Sequence, residues 1–165
     1  MAKMAVAIDG DEIGVNSLTL DASDLAQSFR PTSDTSVRTV QLKLFRKGEA
    51  GGTLTLTLEG DSGNSPDGTA LAKTTLPVSD VSNRVAEFYT FTFSKAAALT
   101  SGDVYWLRLK ASYGASDDNL VQWGGNNTDP YSRGAAAYLA SNGAWDTSLI
   151  GETRDYVFKA ECTTQ

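Results

Sequence analysis

The sequence predicts a single all-β domain, an antiparallel jelly-roll or β-sandwich, at residues 25–165, preceded by a short segment at residues 1–24. Apolar and polar side chains alternate with a period of two in five stretches, which is typical of strands that bury one face. Clusters of turn-forming residues separate these stretches, and no stretch of useful length shows the apolar spacing of a helix. A chain of 165 residues fits one hydrophobic core.

The alternating stretches predict which side chains face the core. Successive side chains of a strand point to opposite faces, so the apolar members of each stretch are expected inside and the residues between them outside. In the last stretch the residues expected outside are Val157 and Lys159. The apolar members are Val40, Leu42 and Leu44; Leu54, Leu56 and Leu58; Tyr89, Phe91 and Phe93; Tyr105, Leu107 and Leu109; and Tyr156 and Phe158.

The predicted turns consist of Gly, Asn, Asp and Ser. Gly supplies a positive φ, and Asn and Asp hydrogen-bond to their own backbone. The spacing of these clusters favours two packed layers of short antiparallel strands, with no internal repeat and no linker between domains. The clusters are residues 48–52, 60–68, 101–103, 114–118, 124–129 and 141–143.

The amino-terminal segment has a different pattern. Two short apolar pieces, residues 4–8 and 17–20, flank an acidic turn at residues 9–12. We expect this segment to be either a hairpin added to a sheet edge or an arm that orders against a partner. Its apolar side chains are then candidate interface contacts. They are Met4, Val6 and Ile8.

The charge of the chain argues against nucleic acid and membrane partners. The net charge is −6, and the basic residues are dispersed, whereas a nucleic-acid-binding protein gathers them on one face. Apolar runs are far shorter than the roughly 20 residues of a membrane span. Asp9, Asp11 and Glu12 end the first apolar stretch, so we expect no export signal.

The residue types needed for most catalytic sites are missing. The chain has no His, which excludes Ser–His–Asp and Cys–His arrangements and removes the commonest metal ligand. Its one cysteine, Cys162, builds no disulfide framework and is expected on a frayed terminal strand. We therefore expect neither an enzyme nor a cofactor.

Two loops rich in carboxylate and amide oxygens resemble calcium ligand sets. One is the loop at residues 61–68, and the other combines two stretches of the final third. Neither has the spacing of an EF-hand, so we expect turn-forming residues and no metal. The residues of the second set are Asp117, Asp118, Asn119, Asn126, Asn127 and Asp129.

Aromatic residues of the final third are the other candidate contacts. Trp123, Tyr131, Tyr138 and Trp145 lie among Asn and Asp residues, and sugar sites pair aromatic faces with such polar groups. We expect these rings to cover the ends of the sandwich or to lie in a subunit interface, with a sugar site as the alternative. Trp106 is either an exposed contact or a sign that its strand is buried on both faces.

Several segments together resemble a known family. The order of segments from residue 25 to residue 159, with "AQSFRP", "DSGNSPDGTAL" and "LTSGDVYWLRL" the most specific, resembles the choice-of-anchor R domain. This β-sandwich is also met in phage structural proteins. The resemblance implies no agreed enzymatic activity, and it implies surface display, carbohydrate-like recognition or virion assembly.

From the resemblance and the lack of a visible export signal, we expect a bacteriophage virion structural protein. A capsid decoration or cement protein made in the host cytoplasm is the preferred form. Its partner would be the major capsid protein or another virion protein, and we expect a homo-oligomer, preferably a trimer. The alternative is a carbohydrate-binding or host-adhesion module, which would bind a glycan through an exposed Trp123 or Trp145.

Overall fold

The computed structural model describes residues 3–7, 18–20, 24–112, 119–126, 134–140, 142–146 and 155–164, with only the backbone described at 3–7, 18–20, 126 and 164. These residues form strands and one short 3-10 turn, Val78–Asp80. The strands are β1 (Lys3–Ala7), β2 (Leu18–Leu20), β3 (Leu25–Phe29), β4 (Thr35–Lys47), β5 (Thr53–Asp61), β6 (Pro66–Pro77), β7 (Glu87–Leu99), β8 (Tyr105–Ala111), β9 (Leu120–Trp123), β10 (Gly125–Asn126), β11 (Ala136–Leu139), β12 (Trp145–Asp146), β13 (Asp155–Tyr156) and β14 (Phe158–Thr164).

The first sheet is organised around β4, its longest central strand. One edge of β4 pairs with β7, and the other edge pairs with β14 at residues 35–42 and with β9 at residues 44–47. The strand order is β1-β14-β4-β9-β2, with β7 on the far side of β4. Because β14 and β9 share one edge of β4, the same sheet contains the amino-terminal strand β1, the carboxyl-terminal strand β14 and the strand β9 from the final third of the chain.

The second sheet has the order β12-β11-β3-β8-β5-β6, and its neighbouring strands are antiparallel. The two short strands β10 and β13 pair separately. Phe29 of the second sheet lies 5.9 Å from Phe158 of the first, measured between ring centroids. The two sheets therefore pack face to face as a sandwich, as the alternation predicts.

The core consists of the predicted inward positions. The apolar members of the five alternating stretches are buried, apart from Tyr89, which is half-buried and packs against the same core. Period-two burial is what a sheet with one face on the core requires. The predicted all-β fold class is confirmed.

Val157 departs from the predicted pattern, because it is fully buried rather than outward-facing. The chain passes from β13 to β14 at this residue. Its N–H donates to the Gly124 carbonyl at 2.8 Å, and its carbonyl accepts from the Lys43 N–H at 3.3 Å. Cys162 is also 1% exposed rather than frayed, because its strand lies between β1 and β4.

The amino-terminal segment contributes strands to the first sheet. β1 pairs with β14, and β2 pairs with β9, so the two pieces join different strands rather than each other. The side chains of Met4 and Val6, and the whole of Ile8, lie outside the described residues. Their predicted role as interface contacts therefore stays a prediction. No helix in the described part of the chain is long and apolar enough to cross a membrane.

Candidate functional site

Strand phase places a set of polar residues on the outer face of the second sheet. Leu107 and Leu109 point into the core from β8, so Arg108 and Lys110 point outward. Across the sheet, Thr57 on β5 is paired with Arg108 on one side and with Lys73 of β6 on the other. Polar side chains of three neighbouring strands consequently share one face.

Arg108 is held on this face by two carboxylates. Its Nε and Nη2 atoms contact Asp24 Oδ2 at 2.7 and 2.6 Å, and its Nη1 lies 3.5 Å from Glu59 Oε1. Glu59 is only 2% exposed. Its two oxygens also accept hydrogen bonds at 2.9 Å from the Thr57 hydroxyl and from the Gly68 N–H. The guanidinium therefore has a fixed position, because its partners are themselves fixed.

Trp145 is the accessible aromatic ring of this face. Its ring centroid lies 5.3 Å from Arg108 Cζ, within the range of a cation–π contact. The ring is half-buried against a small apolar cluster that includes Ala26 and Ala137, both fully buried. These alanines lie on β3 and β11, so the small side chains leave space for the ring on that side of Arg108.

Trp106 belongs to the same apolar cluster and is 2% exposed. Its Nε1 donates a hydrogen bond to Asp61 Oδ1 at 2.8 Å. The interpretation of Trp106 as an exposed contact is therefore wrong: β8 is buried on both faces at Trp106, while Lys110 further along the strand is exposed. The hydrogen bond also attaches the start of the loop at residues 61–68 to the sheet.

A groove of about 270 Å³ lies on the other side of Arg108 from Trp145. Two lysines of its lining are exposed and form no ion pair within the described part of the chain. The hydroxyls of two half-buried threonines lie between them. The lining includes Thr55, Thr57, Glu59, Lys73, Arg108 and Lys110.

Of the two calcium ligand sets considered from the sequence, the structure describes the first loop, residues 61–68, and only part of the second. No group of three or more His, Cys, Asp or Glu that could hold a metal ion occurs among the described residues. In the first loop, Asp61 accepts from Trp106, and Asp67 Oδ1 accepts from the Thr69 N–H at 2.7 Å. Asn119 accepts from the Glu49 N–H at 2.8 Å. The rest of the second set, Asp117, Asp118, Asn127, Asp129 and the Asn126 side chain, lies outside the described residues.

Trp123 is a core residue, so the expectation that it is an exposed contact is wrong. It is fully buried, its ring stacks on Tyr156 at 4.6 Å between centroids, and its Nε1 donates to the Val157 carbonyl at 2.9 Å. The reason is its inward position on β9, where it is paired with the inward-facing Leu44. Trp145 alone of the two remains a candidate ligand contact.

Tyr138 is half-buried near the edge of the second sheet and stays a candidate contact. Its hydroxyl donates to Asp146 Oδ2 at 3.3 Å. Loss of hydration and the Asp146 carboxylate both raise the pKa of the Tyr138 phenol, so it is neutral at physiological pH. Tyr131 lies outside the described residues.

The contacts of Arg108 with Asp24 and Glu59 are not predicted from the sequence. Alternation places Arg108 on the outer face, but Asp24 and Glu59 are 84 and 49 residues away along the chain. The sequence signal for Arg108 is its position between two apolar residues, Leu107 and Leu109, in an alternating stretch. That signal gives the face of each residue and not its neighbours across the sheet.

No family model matches the sequence, and no curated protein matches it. Among solved structures, the chain is similar to that of the cysteine protease and lectin-like domains of Cwp84, a surface layer associated protein of Clostridium difficile. The TM-score is 0.56 and the identity 16%, over 87% of this chain and 32% of the other. This chain thus spans about a third of that solved chain, and the likeness shows the fold alone.

Proposed function

We propose that this chain is a non-catalytic binding module that recognises a glycan through the outer face of its second sheet. The observation that carries the proposal is the Trp145 ring packed beside Arg108, which itself lines a groove with polar side chains. A pyranose has an apolar face that stacks on an aromatic ring and a polar edge that takes hydrogen bonds. One sheet face of this chain offers both.

The ion pairs of Arg108 favour such a role. A site that is fixed before binding loses less conformational entropy when the ligand arrives. Asp24 and Glu59 hold the guanidinium in place, and Trp145 packs on two alanines of the underlying strands. The face is therefore preorganised on strands rather than on a loop.

The structural neighbour gives limited further support. That protein is surface layer associated, and its solved structure includes a lectin-like domain. A sandwich with a similar fold is a suitable scaffold for glycan recognition, although a fold is shared by many functions. The resemblance to choice-of-anchor R domains implies surface display, carbohydrate-like recognition or virion assembly, and the second of these agrees with the proposal.

A glycan array followed by titration calorimetry tests the proposal. We expect the chain to bind at least one glycan, and Trp145→Ala to weaken that binding by roughly tenfold or more, since ring stacking contributes on the order of 1–2 kcal/mol. Val85→Ala changes an exposed apolar residue outside this face and is the matched control. An array with no bound glycan, or equal affinity of Trp145→Ala and the control, would contradict the proposal.

A second candidate function is that of a phage decoration or cement protein, which is compatible with glycan binding. The observation that favours it is the position of β1, which is the last strand at one end of the first sheet. An outermost strand offers unpaired backbone groups to a neighbouring chain. Such a protein would act through its contacts with the capsid and with its own copies, and a trimer is our preferred oligomer.

The virion role is tested with purified phage capsids and the solution mass of the protein. We expect saturable binding to capsids and a mass of three chains. Removal of residues 1–20 deletes β1 and β2, keeps Asp24 as the partner of Arg108, and is expected to weaken capsid binding. Equal capsid binding by the truncated and full chains would contradict a role for this segment, and no binding by either would contradict the virion role.

A further inference from the structure

The geometry points to an acidic glycan, one that carries carboxylate or sulfate groups, as the ligand of this face. This inference rests on the proposed glycan-binding function and specifies the class of sugar. The observation behind it is the pair of exposed lysines in the groove, Lys73 and Lys110.

Within the described part of the chain, Arg108 has carboxylate partners and the two lysine side chains have none. Asp24 and Glu59 both contact the guanidinium. The side chains of Lys73 and Lys110 form no ion pair or hydrogen bond with the described part of the chain. Among the described residues, the groove therefore presents two cationic side chains without an ion-pair partner, and solvent ions or a ligand can supply counter-charge to them.

The two lysines flank the threonines of β5. Lys73 on β6 is paired with Thr57, and Lys110 on β8 is paired with Thr55. Neighbouring strands are about 4.8 Å apart, so β6 and β8 are separated by roughly 10 Å with β5 between them. A sugar chain lying across β5 would place its hydroxyls on the threonines and its anionic groups near the two ammonium groups.

The surroundings favour an acidic sugar over a neutral one or a nucleic acid. A neutral sugar would gain little from two solvated ammonium groups. A nucleic acid needs many phosphate contacts, and a groove with two lysines supplies few of them. Trp145, on the other side of Arg108, can stack on a pyranose ring, which an acidic peptide does not provide.

The experiment compares four probes by titration calorimetry at low salt with the full chain. They are a heparin hexasaccharide, an oligogalacturonate hexamer, neutral maltohexaose and polyglutamate. The test variant is Lys73→Gln with Lys110→Gln. The control is Lys95→Gln, which removes an exposed positive charge from β7, outside the groove. Circular dichroism checks that each variant remains folded.

We expect tighter binding of at least one acidic hexasaccharide than of maltohexaose, with an affinity that falls as salt increases. The double variant is expected to lose roughly tenfold in that affinity and part of the salt dependence, and the control little of either. Trp145→Ala is expected to weaken the same binding. Preference for heparin or for oligogalacturonate supports the inference and identifies sulfate or carboxylate as the charge.

Two outcomes would overturn the inference, and they differ in what they say about the proposed function. Binding of maltohexaose as tightly as the acidic sugars, with no effect of the double variant, overturns the acidic class and leaves glycan binding intact. Lysine-dependent binding of polyglutamate, with none of the sugars bound, overturns both in favour of an acidic peptide.

Discussion

Gln27 on β3 donates a hydrogen bond from Nε2 to Asp155 Oδ1 on β13 at 2.8 Å, and both side chains are fully buried. The side-chain oxygen of Gln27, Oε1, accepts a hydrogen bond from the Tyr156 N–H at 2.7 Å. One amide therefore provides a donor and an acceptor to the same short strand, 128 residues away along the chain. Buried polar groups stabilise a fold only when such partners are present.

Gln27→Leu is expected to destabilise the domain by about 2–4 kcal/mol, because it removes a partner of a buried carboxylate and of a buried N–H. Urea unfolding measures the change. Gln41→Leu is the control, because Gln41 donates to the Thr90 hydroxyl at the surface and is expected to cost less than about 1 kcal/mol. Equal losses in the two variants would contradict a structural role for the buried bond.

Substitution of Trp123 is expected to lower mainly the stability of the domain, and substitution of Trp145 mainly its glycan affinity. Trp123→Ala leaves a cavity in the core and removes the bond to Val157, so we expect a loss of about 3–5 kcal/mol in unfolding free energy. Trp145→Ala is expected to lower stability much less and glycan affinity much more. Thermal unfolding and calorimetry on the folded fraction measure the two effects. A larger loss of unfolding free energy in Trp145→Ala than in Trp123→Ala would contradict the assignment of Trp123 to the core and Trp145 to the binding face.

The hydrogen bond between Trp106 and Asp61 predicts a difference between two substitutions of the same residue. Asp61→Ala leaves the buried indole N–H without its acceptor and is expected to cost about 1–3 kcal/mol. Asp61→Asn keeps an acceptor oxygen, and we expect it to retain most of the stability. Chemical denaturation measures the unfolding free energy of both variants. Equal unfolding free energies of Asp61→Ala and Asp61→Asn would show that the bond contributes little.

Gly68 has a φ of +83° and donates its N–H to the buried Glu59. Gly68→Ala is expected to destabilise the domain by about 1 kcal/mol, because a side chain strains this backbone conformation. Since Glu59 positions Arg108, we also expect weaker glycan binding. Gly51→Ala, where an added Cβ meets no atom within 4 Å, is the control. An unchanged unfolding free energy and an unchanged glycan affinity in Gly68→Ala would contradict the coupling of Gly68 to Arg108 through Glu59.

The sequence was sufficient for the fold class and for most of the core. Alternation with a period of two is a local property, so Leu54, Leu56 and Leu58 are identified as inward residues without any knowledge of their neighbours. The same rule correctly places Arg108 outward. It fails at Val157, where the chain changes strand partners and the four consecutive residues 155–158 are buried.

The sequence by itself determined a two-layer all-β domain with one apolar face per strand. Only the tertiary structure decided that Trp123 lies in the core, that Trp145 packs beside Arg108, and that Gln27 meets Asp155. The physical reason is that periodicity specifies the face of a strand but not its register or its neighbour. Those follow from packing between residues far apart in the chain.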